Sequence, residues 1–170
     1  LVFNTTNPLN IGRPESLFGL SDLHLSFDVR PDSDDGGHQW LFNNASRYTV
    51  ALIDDTLIFT LMTDDGAKHV IEVDNPDIFD GKYHTIAISL DSTLNTFTAF
   101  IDGDEVGEVS GVTGAIDQDP ALDVVIGGSI FGNRGFAGEI RNVEAFSAPE
   151  PVDTGKASTE ILNGPGAGTV

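Results

Sequence analysis

The residues that decide the fold of this chain read DGKYHTIAISLD (80–91), FTAFIDG (97–103), VVIGG (124–128) and FAGEIRNV (136–143). In each segment apolar residues alternate with polar ones or form a short run, and turns rich in Gly and Asp lie between the segments. Short apolar segments between such turn residues are typical of strands in an antiparallel sandwich or barrel. The second half of the chain therefore predicts an all-β domain.

The first half of the chain carries the same pattern. Apolar and polar residues alternate over 23–29, which predicts a half-buried strand. Residues 48–52 and 57–61 flank Asp54-Asp55, and two alternating segments around a tight turn predict a β-hairpin. Helical periodicity is nowhere convincing. Further strands are predicted at 39–42, 69–73 and 106–109.

Composition and charge exclude several classes of function. The chain has 170 residues, enough for one domain with a real core, and a formal net charge of -19. Such a charge repels nucleic acid and anionic lipid, and no run is long enough to cross a membrane. The negative net charge is compatible with a solvated surface in salty or calcium-rich surroundings, and with calcium or cationic partners. We predict no nucleic-acid partner and no membrane insertion.

The ends of the chain and its lack of cysteine bear on its source. There is no cysteine and no initiator Met, which favours a fragment of a larger, exported bacterial protein. From residue 147 onward the chain is rich in Pro and Gly. We predict a β-sandwich over 1–146, followed by a linker or wrapping segment over 147–170.

Four motifs resemble those of one family and follow in that family's order. The chain resembles a laminin-G-like domain of the concanavalin-A-like superfamily. The resemblance implies a two-sheet antiparallel jelly-roll sandwich of about a dozen strands that mostly binds ligands and seldom catalyses. The motifs are Gly81-Lys82-Tyr83-His84, Ile101-Asp102-Gly103, Ile126-Gly127-Gly128 and the closing strand over 136–143.

The resemblance also implies a calcium site at one rim of the sandwich. The family places one ligand just before the strand that begins here at Tyr48, and another a few residues before Ile126-Gly127-Gly128. The second position falls near Asp119, with Asp117 close by, whereas the first falls near Arg47, which cannot bind a cation. The candidate substitutes are Asn43, Asn44 and the nearby Asp64-Asp65 turn, since calcium accepts carboxylates, amides and carbonyls alike. The predicted cofactor is therefore Ca2+, held by Asp119, Asp117 and Asp64.

A ligand is expected at the same rim, formed by the loops over 43–47, 64–66, 114–120 and 129–135. Trp40 and Tyr48 are either core residues or an aromatic platform for a sugar ring or a peptide side chain. The candidate ligand-binding residues are Asn43, Asn44, Arg47, Asp64, Asp65 and Asn133.

Catalytic patterns are missing from the sequence. Glycosidases of this fold place carboxylates on alternate positions of one strand, whereas Glu139 and Glu144 are five residues apart and are expected on opposite faces. The four histidines are dispersed and show no metal-ligand spacing. We predict that the domain is not an enzyme.

The predicted function is that of a non-catalytic module that binds a glycan or a peptide on a cell or host surface. It would be a monomeric domain of a large extracellular bacterial surface protein, such as an RTX-type adhesin, with calcium-dependent adhesion. One alternative is a structural spacer or protein–protein module. The other is an accessory domain of a polysaccharide-degrading enzyme.

Overall fold

The computed structural model describes residues 2–3, 7–32, 37–44, 47–117 and 123–148. Within these ranges the chain forms a single 3-10 turn, Glu15–Leu17, and β-strands. None of the helical structure in these ranges is long and apolar enough to span a membrane. The strands are β1 (Val2–Phe3), β2 (Leu9–Gly12), β3 (Leu23–Pro31), β4 (His38–Asn44), β5 (Tyr48–Ile53), β6 (Thr56–Met62), β7 (Lys68–Asp74), β8 (His84–Asp91), β9 (Thr96–Ile101), β10 (Asp104–Ser110), β11 (Val124–Ile126) and β12 (Gly138–Phe146).

The strands pair into two antiparallel sheets of six. The first sheet has the order β1-β12-β3-β8-β9-β10, and the second has the order β2-β11-β4-β5-β6-β7. Five of the ten neighbouring pairs join consecutive strands, and the other five join strands far apart along the chain, because the chain crosses repeatedly between the two sheets. This arrangement confirms the predicted all-β, two-sheet antiparallel jelly-roll sandwich.

The core lies between the sheets and is supplied by the alternation along each strand. On β3, the inward residues Leu25 and Phe27 are at most 1% exposed, and they pair with Ile88 and Ile86 of β8. Every second side chain points the same way in a strand, so one face of each sheet is apolar. The largest fully buried side chains are Tyr48, Phe27, Phe42, Phe59, Phe97 and Phe136.

The hairpin predicted around Asp54-Asp55 is present. The strands β5 and β6 pair in register from Ile53↔Thr56 to Tyr48↔Leu61. Asp54 has a φ of +52°, which the tight two-residue turn requires and which Asp tolerates better than most side chains.

The elements before residue 21 were not predicted from the sequence. The strands β1 and β2 hold two and four residues, and the turn Glu15–Leu17 holds three. None is long enough to show a hydrophobic period. Leu17 nevertheless is fully buried, so this segment closes one end of the core.

One outer strand of each sheet carries acidic side chains. The edges are β1 and β10 in the first sheet, and β2 and β7 in the second. On β10, Glu105 and Glu108 are exposed, and on β7 the same holds for Glu72 and Asp74. Charged side chains on an edge strand discourage pairing with another chain.

The sandwich has two ends that matter for function. At the Arg47 end β4 stops and β5 starts, and the segments 63–67 and 111–117 lie beside them. At the His38 end β4 starts, and the turn at Asp54 lies beside Gly37. Most of the segment predicted as a linker, 149–170, lies outside the described residues.

Candidate functional site

At the Arg47 end, backbone and side-chain bonds lock distant segments together. The Arg47 carbonyl accepts a hydrogen bond from the Met62 amide at 2.6 Å, and the Asp117 amide donates to the Met62 carbonyl at 3.1 Å. The Arg47 side chain is 17% exposed, and its Nη1 lies 3.3 Å from Oδ2 of Asp117. The Arg47 residue thus links three segments: the β4–β5 loop, the end of β6 and the segment before β11.

The turn after β6 is bonded to the same group of segments. Thr63 forms an isolated bridge with Ile116, and the Asp64 amide donates to the Ala115 carbonyl at 2.9 Å. Asp65 holds the turn, since its Oδ1 accepts from the Thr63 hydroxyl at 2.7 Å and from the Ala67 amide at 3.0 Å. These hydrogen bonds, led by that from Thr63, lower the pKa of Asp65. The Asp64 side chain is exposed.

Asn44 and Tyr48 lie beneath this rim and face the core. Both are fully buried, and Asn44 Nδ2 and the Tyr48 hydroxyl each donate to the Leu17 carbonyl at 3.2 Å. Tyr48 stacks on Phe42 with ring centroids 5.8 Å apart, and burial raises its pKa. Tyr48 is therefore a core residue, and a ligand at the rim would not reach Asn44. Asn43 is half-buried on β4.

The described residues do not by themselves fit a calcium ion. Asp117, one of the predicted ligands, already faces the cationic Arg47, and a guanidinium excludes a metal from the same oxygen. Within the described ranges no group of three or more His, Asp or Glu residues could hold a metal. Asp64 lies at this end, whereas Asp119 falls outside the described residues. The calcium ion expected from the family resemblance therefore has no support from Asp117 or Asp64, and it depends on Asp119 alone.

The structure separates Asn133 from the other candidate residues. Because β11 runs antiparallel to β4, Val124 lies beside Asn44 and Ile126 beside Phe42. The chain after Ile126 therefore moves away from the Arg47 end, and the Trp40 amide donates to a carbonyl of this loop at 2.9 Å. The expected single rim of four loops is wrong in this respect: the loop over 129–135 lies toward the His38 end.

This loop carries features that the sequence analysis did not single out. Phe131 is 79% exposed, and Arg134 is exposed with a φ of +54°. Beside them, His38 and Trp40 pack with ring centroids 4.4 Å apart. The signal in the sequence was an aromatic residue next to a glycine in a polar loop, where no core is available to receive it.

Residues 3–150 match the family described as the concanavalin A-like lectin/glucanases superfamily, represented by a laminin-G family. The chain belongs to this superfamily. A search of curated proteins found no match for this laminin-G-like domain. The predicted family is therefore confirmed over nearly the whole of the described chain.

Solved structures show the same fold at low sequence identity. The mouse laminin α1 chain, domains LG4-5, superposes with a TM-score of 0.67 at 16% identity, over 85% of this chain and 40% of that chain. The Ruminococcus gnavus IT-sialidase CBM40 bound to α2,3 sialyllactose gives 0.58 at 14% identity, over 78% and 79%. The binding domain of botulinum neurotoxin DC in complex with rat synaptotagmin II gives 0.56 at 14% identity, over 77% and 33%.

These comparisons limit what can be carried over. The laminin-G-like domain spans well under half the length of the laminin and toxin chains, whereas it matches most of the CBM40 module. The fold is one found in domains that bind glycans or proteins and is usually non-catalytic.

In this laminin-G-like domain, two carboxylates of β12 share one face against expectation. A bulge between Arg141 and Glu144 shifts the register, so that Glu139 pairs with Arg30 and Glu144 with Ser26 of β3. Their partners are four residues apart on one strand, which places the two glutamates on the same face with their Cα atoms about 13 Å apart. The Glu139 carboxylate of this pair is bonded to Arg30 and to the Tyr83 hydroxyl.

The aromatic residue of the Gly81-Lys82-Tyr83-His84 motif stacks against arginine. The Arg141 guanidinium lies 3.5 Å from the ring centroid of Tyr83, and that of Arg30 lies 5.3 Å from it. Both the Tyr83 hydroxyl and Arg30 bond to Glu139. This network fastens β12 to β3 and β8, so the motif acts in the scaffold.

The histidine of the same motif lies between two carboxylates. Its Nδ1 is 2.7 Å from Oδ2 of Asp102, and its Nε2 is 2.9 Å from Oδ1 of Asp80. Burial acts to lower the pKa of His84, but the two carboxylates outweigh it and the pKa is raised. The hydrogen bond with His84 is the main cause that lowers the pKa of Asp80 to about 2.

A shallow surface pocket of about 330 Å³ lies between the β5–β6 turn and the segment after β7. Its lining combines two carboxylates with an amide and two apolar rings. The lining residues are Asp55, Asn75, Pro76, Asp77 and Phe79.

Proposed function

We propose that this domain is a non-catalytic module that binds a glycan at the Arg47 end, as part of an extracellular bacterial surface protein with a role in adhesion. The superfamily supports a binding role, since its domains are mostly binding domains. The CBM40 module, which resembles this chain over most of both lengths, was solved with a bound sialyllactose. Laminin-G-like domains are typically found outside the cell, which supports the extracellular location.

The observation that carries the proposal is the locked rim at the Arg47 end. Three segments far apart in sequence meet there, joined by the Arg47–Asp117 pair and the Thr63↔Ile116 bridge. A surface whose loops are already ordered loses little conformational entropy when it binds. The exposed Asp64 carboxylate accepts hydrogen bonds from sugar hydroxyls, and the partly exposed Arg47 donates them.

A glycan array tests the proposal directly. We expect the wild-type domain to bind a restricted set of glycans, and Asp64→Ala to weaken that binding without a change in melting temperature. Asp104→Ala is the matched control, because it removes an exposed carboxylate at the opposite end of the sandwich. A blank array with folded wild-type protein would overturn the proposal.

A protein ligand is the second candidate, favoured by one comparison. The toxin binding domain that shares this fold was solved in complex with synaptotagmin II. A peptide library screened beside the glycan array separates the two ligands. Blank results from both would favour the spacer role, whereas a catalytic domain encoded next to this one would favour the accessory role in polysaccharide degradation.

A further inference from the structure

The loop toward the His38 end presents an aromatic ring to solvent in a fixed position. Phe131 is 79% exposed. Its amide donates to the Ser129 hydroxyl at 3.2 Å, and that hydroxyl donates to Oδ1 of Asn133 at 2.6 Å. The Gly132 amide donates to the Ser129 carbonyl at 3.1 Å. Ser129 itself is buried, so the loop is built around an internal polar anchor and cannot collapse over the ring.

The same loop carries an unusual cation for so acidic a protein. Arg134 has no carboxylate within ion-pair distance among the described residues, whereas most described basic side chains have one. Its charge reaches His38, whose pKa is lowered first by burial and then by Arg134. The paired basic residues are Arg13, Arg30, Arg47, Lys82 and Arg141.

The backbone around Arg134 is also held in place. The Arg134 carbonyl accepts from the Trp40 amide of β4 at 2.9 Å, which fixes the residue at a φ of +54°. A non-glycine residue rarely adopts this conformation, and it persists where the surroundings enforce it. The loop thus presents Phe131 and Arg134 from a rigid base three residues apart.

We propose that Phe131 and Arg134 form a second binding site, distinct from the Arg47 end, for a saccharide that bears a carboxylate. This inference extends the proposed glycan-binding function to a separate surface. The exposed ring packs against the C–H face of a sugar, and the guanidinium pairs with the carboxylate in a fork geometry that suits it. Asn133 accepts from Ser129 through its oxygen, which leaves its amide nitrogen as a donor for a hydroxyl.

The charge of the protein favours a saccharide, and not a membrane, as the ligand of this site. The net charge of -19 repels an extended anionic bilayer, whose many charges face the whole acidic surface, more strongly than a single carboxylate that meets only Arg134. A single aromatic ring buries too little apolar surface to anchor a domain of this size on neutral lipid. A carboxylate on a sugar meets the one local positive charge of the loop while its hydroxyls face solvent.

The test is binding of α2,3-sialyllactose and trigalacturonic acid to the whole chain, with lactose as the neutral control, measured by calorimetry. We expect the wild type to bind at least one acidic saccharide and to prefer it to lactose. Phe131→Ala and Arg134→Glu should each weaken binding by about tenfold or more. Both positions are exposed, so the melting temperature should stay within error of the wild type.

Two variants serve as matched controls at the other end of the sandwich. Leu94→Ala removes a side chain that is 68% exposed, and Lys68→Glu reverses an exposed cation that also lacks a carboxylate partner among the described residues. Both should leave affinity for acidic saccharides unchanged. Equal losses in the controls and the loop variants would overturn the inference, because they would reveal binding at the Arg47 end or a general effect of charge or hydrophobicity.

The outcomes separate this inference from the proposed function. Binding of a glycan that depends on Asp64 but not on Phe131 or Arg134 overturns the second site and leaves the proposed function standing. A wild-type chain that binds no glycan overturns both. Sedimentation with phosphatidylcholine vesicles that Phe131→Ala abolishes would overturn the saccharide site in favour of a lipid contact.

Discussion

The guanidinium of Arg47 and the carboxylate of Asp117 form an ion pair, with Nη1 and Oδ2 3.3 Å apart. The pair lies where the family resemblance predicted a calcium ligand. A positive side chain next to Asp117 satisfies the carboxylate that a metal would otherwise use. The rim at this end is thus held by a residue of the chain itself.

Calcium is therefore expected to leave stability unchanged. We predict the same melting temperature in millimolar calcium and in chelator, because ligand binding to the folded state alone would raise it. Magnesium at the same concentration controls for ionic strength. A rise with calcium only would contradict this prediction and would point to Asp119 as the residue that completes a site.

Removal of the Arg47 guanidinium should destabilise the domain. Arg47→Met keeps the aliphatic stem but leaves Asp117 without its partner, and we expect a loss of about 1–3 kcal/mol in the free energy of unfolding. Urea denaturation measures this loss. Arg13→Met is the matched control, since its pair with Asp123 is more exposed, and it should cost less than about 1 kcal/mol.

The fold and the hairpin could be predicted from sequence because their signals are local. Alternation over β3 and β6 reports which face of each strand is buried, and the dipeptide Asp54-Asp55 reports a turn. The strands β1 and β2 lack such a signal because they are too short. Their place in the sheets follows from pairing with β12 and β11, which no local pattern encodes.

The site residues were harder to predict because their environment depends on tertiary contacts. Asn44 is a surface amide by composition, yet it is fully buried because Leu17, far away in sequence, supplies a carbonyl acceptor. Asn133 was assigned to the wrong end because a three-residue strand, β11, decides the direction of the loop. The bulge after Arg141 likewise moved Glu144 to a face that simple alternation did not predict.

The cluster of His84, Asp80 and Asp102 should make the free energy of unfolding depend on pH. Because the pKa of His84 is raised above its ordinary 6.5, its contribution is complete below about 6.5 and is lost as pH rises through the raised pKa. Asp80 acts in the opposite direction: its contribution is present above its ordinary 3.8 and is lost as pH falls toward about 2. The cluster therefore stabilises most between these two ordinary values.

The expected result is that His84→Gln lowers the melting temperature more at pH 5.5 than at pH 9. Thermal unfolding followed by circular dichroism at both pH values measures the difference. An equal decrease at both would show that the histidine contributes through packing and not through its charge.

Removal of the two side-chain donors to the Leu17 carbonyl should lower the free energy of unfolding non-additively. Tyr48→Phe and Asn44→Ala each remove one of its two side-chain donors, and each should cost at least about 1 kcal/mol. The double variant should cost more than the sum, because the carbonyl then loses both donors in a buried site. Denaturant unfolding of all four proteins completes the cycle, and strict additivity would refute the coupling.

Gly138 should be intolerant of a side chain. It has a φ of +149°, and a Cβ there would overlap the Arg30 carbonyl oxygen and lie 2.7 Å from Cζ of Phe136. Gly138→Ala should cost more than about 2 kcal/mol. Gly132→Ala is the control, since its φ is +68° with open space around it, and it should cost roughly 1–2 kcal/mol. Equal losses would place the cost in backbone conformation alone.

The exposed acids on β7 and β10 have a consequence for crowding on a surface. Where many copies stand side by side, each copy meets another with a row of like charges, and repulsion acts within about a Debye length, near 8 Å in physiological salt. This repulsion opposes hydrogen bonding between the edge strands of neighbouring copies, which would otherwise join their sheets. Each sheet of the sandwich thus has one charged edge, β7 or β10, whereas the edges β1 and β2 carry no charged side chain.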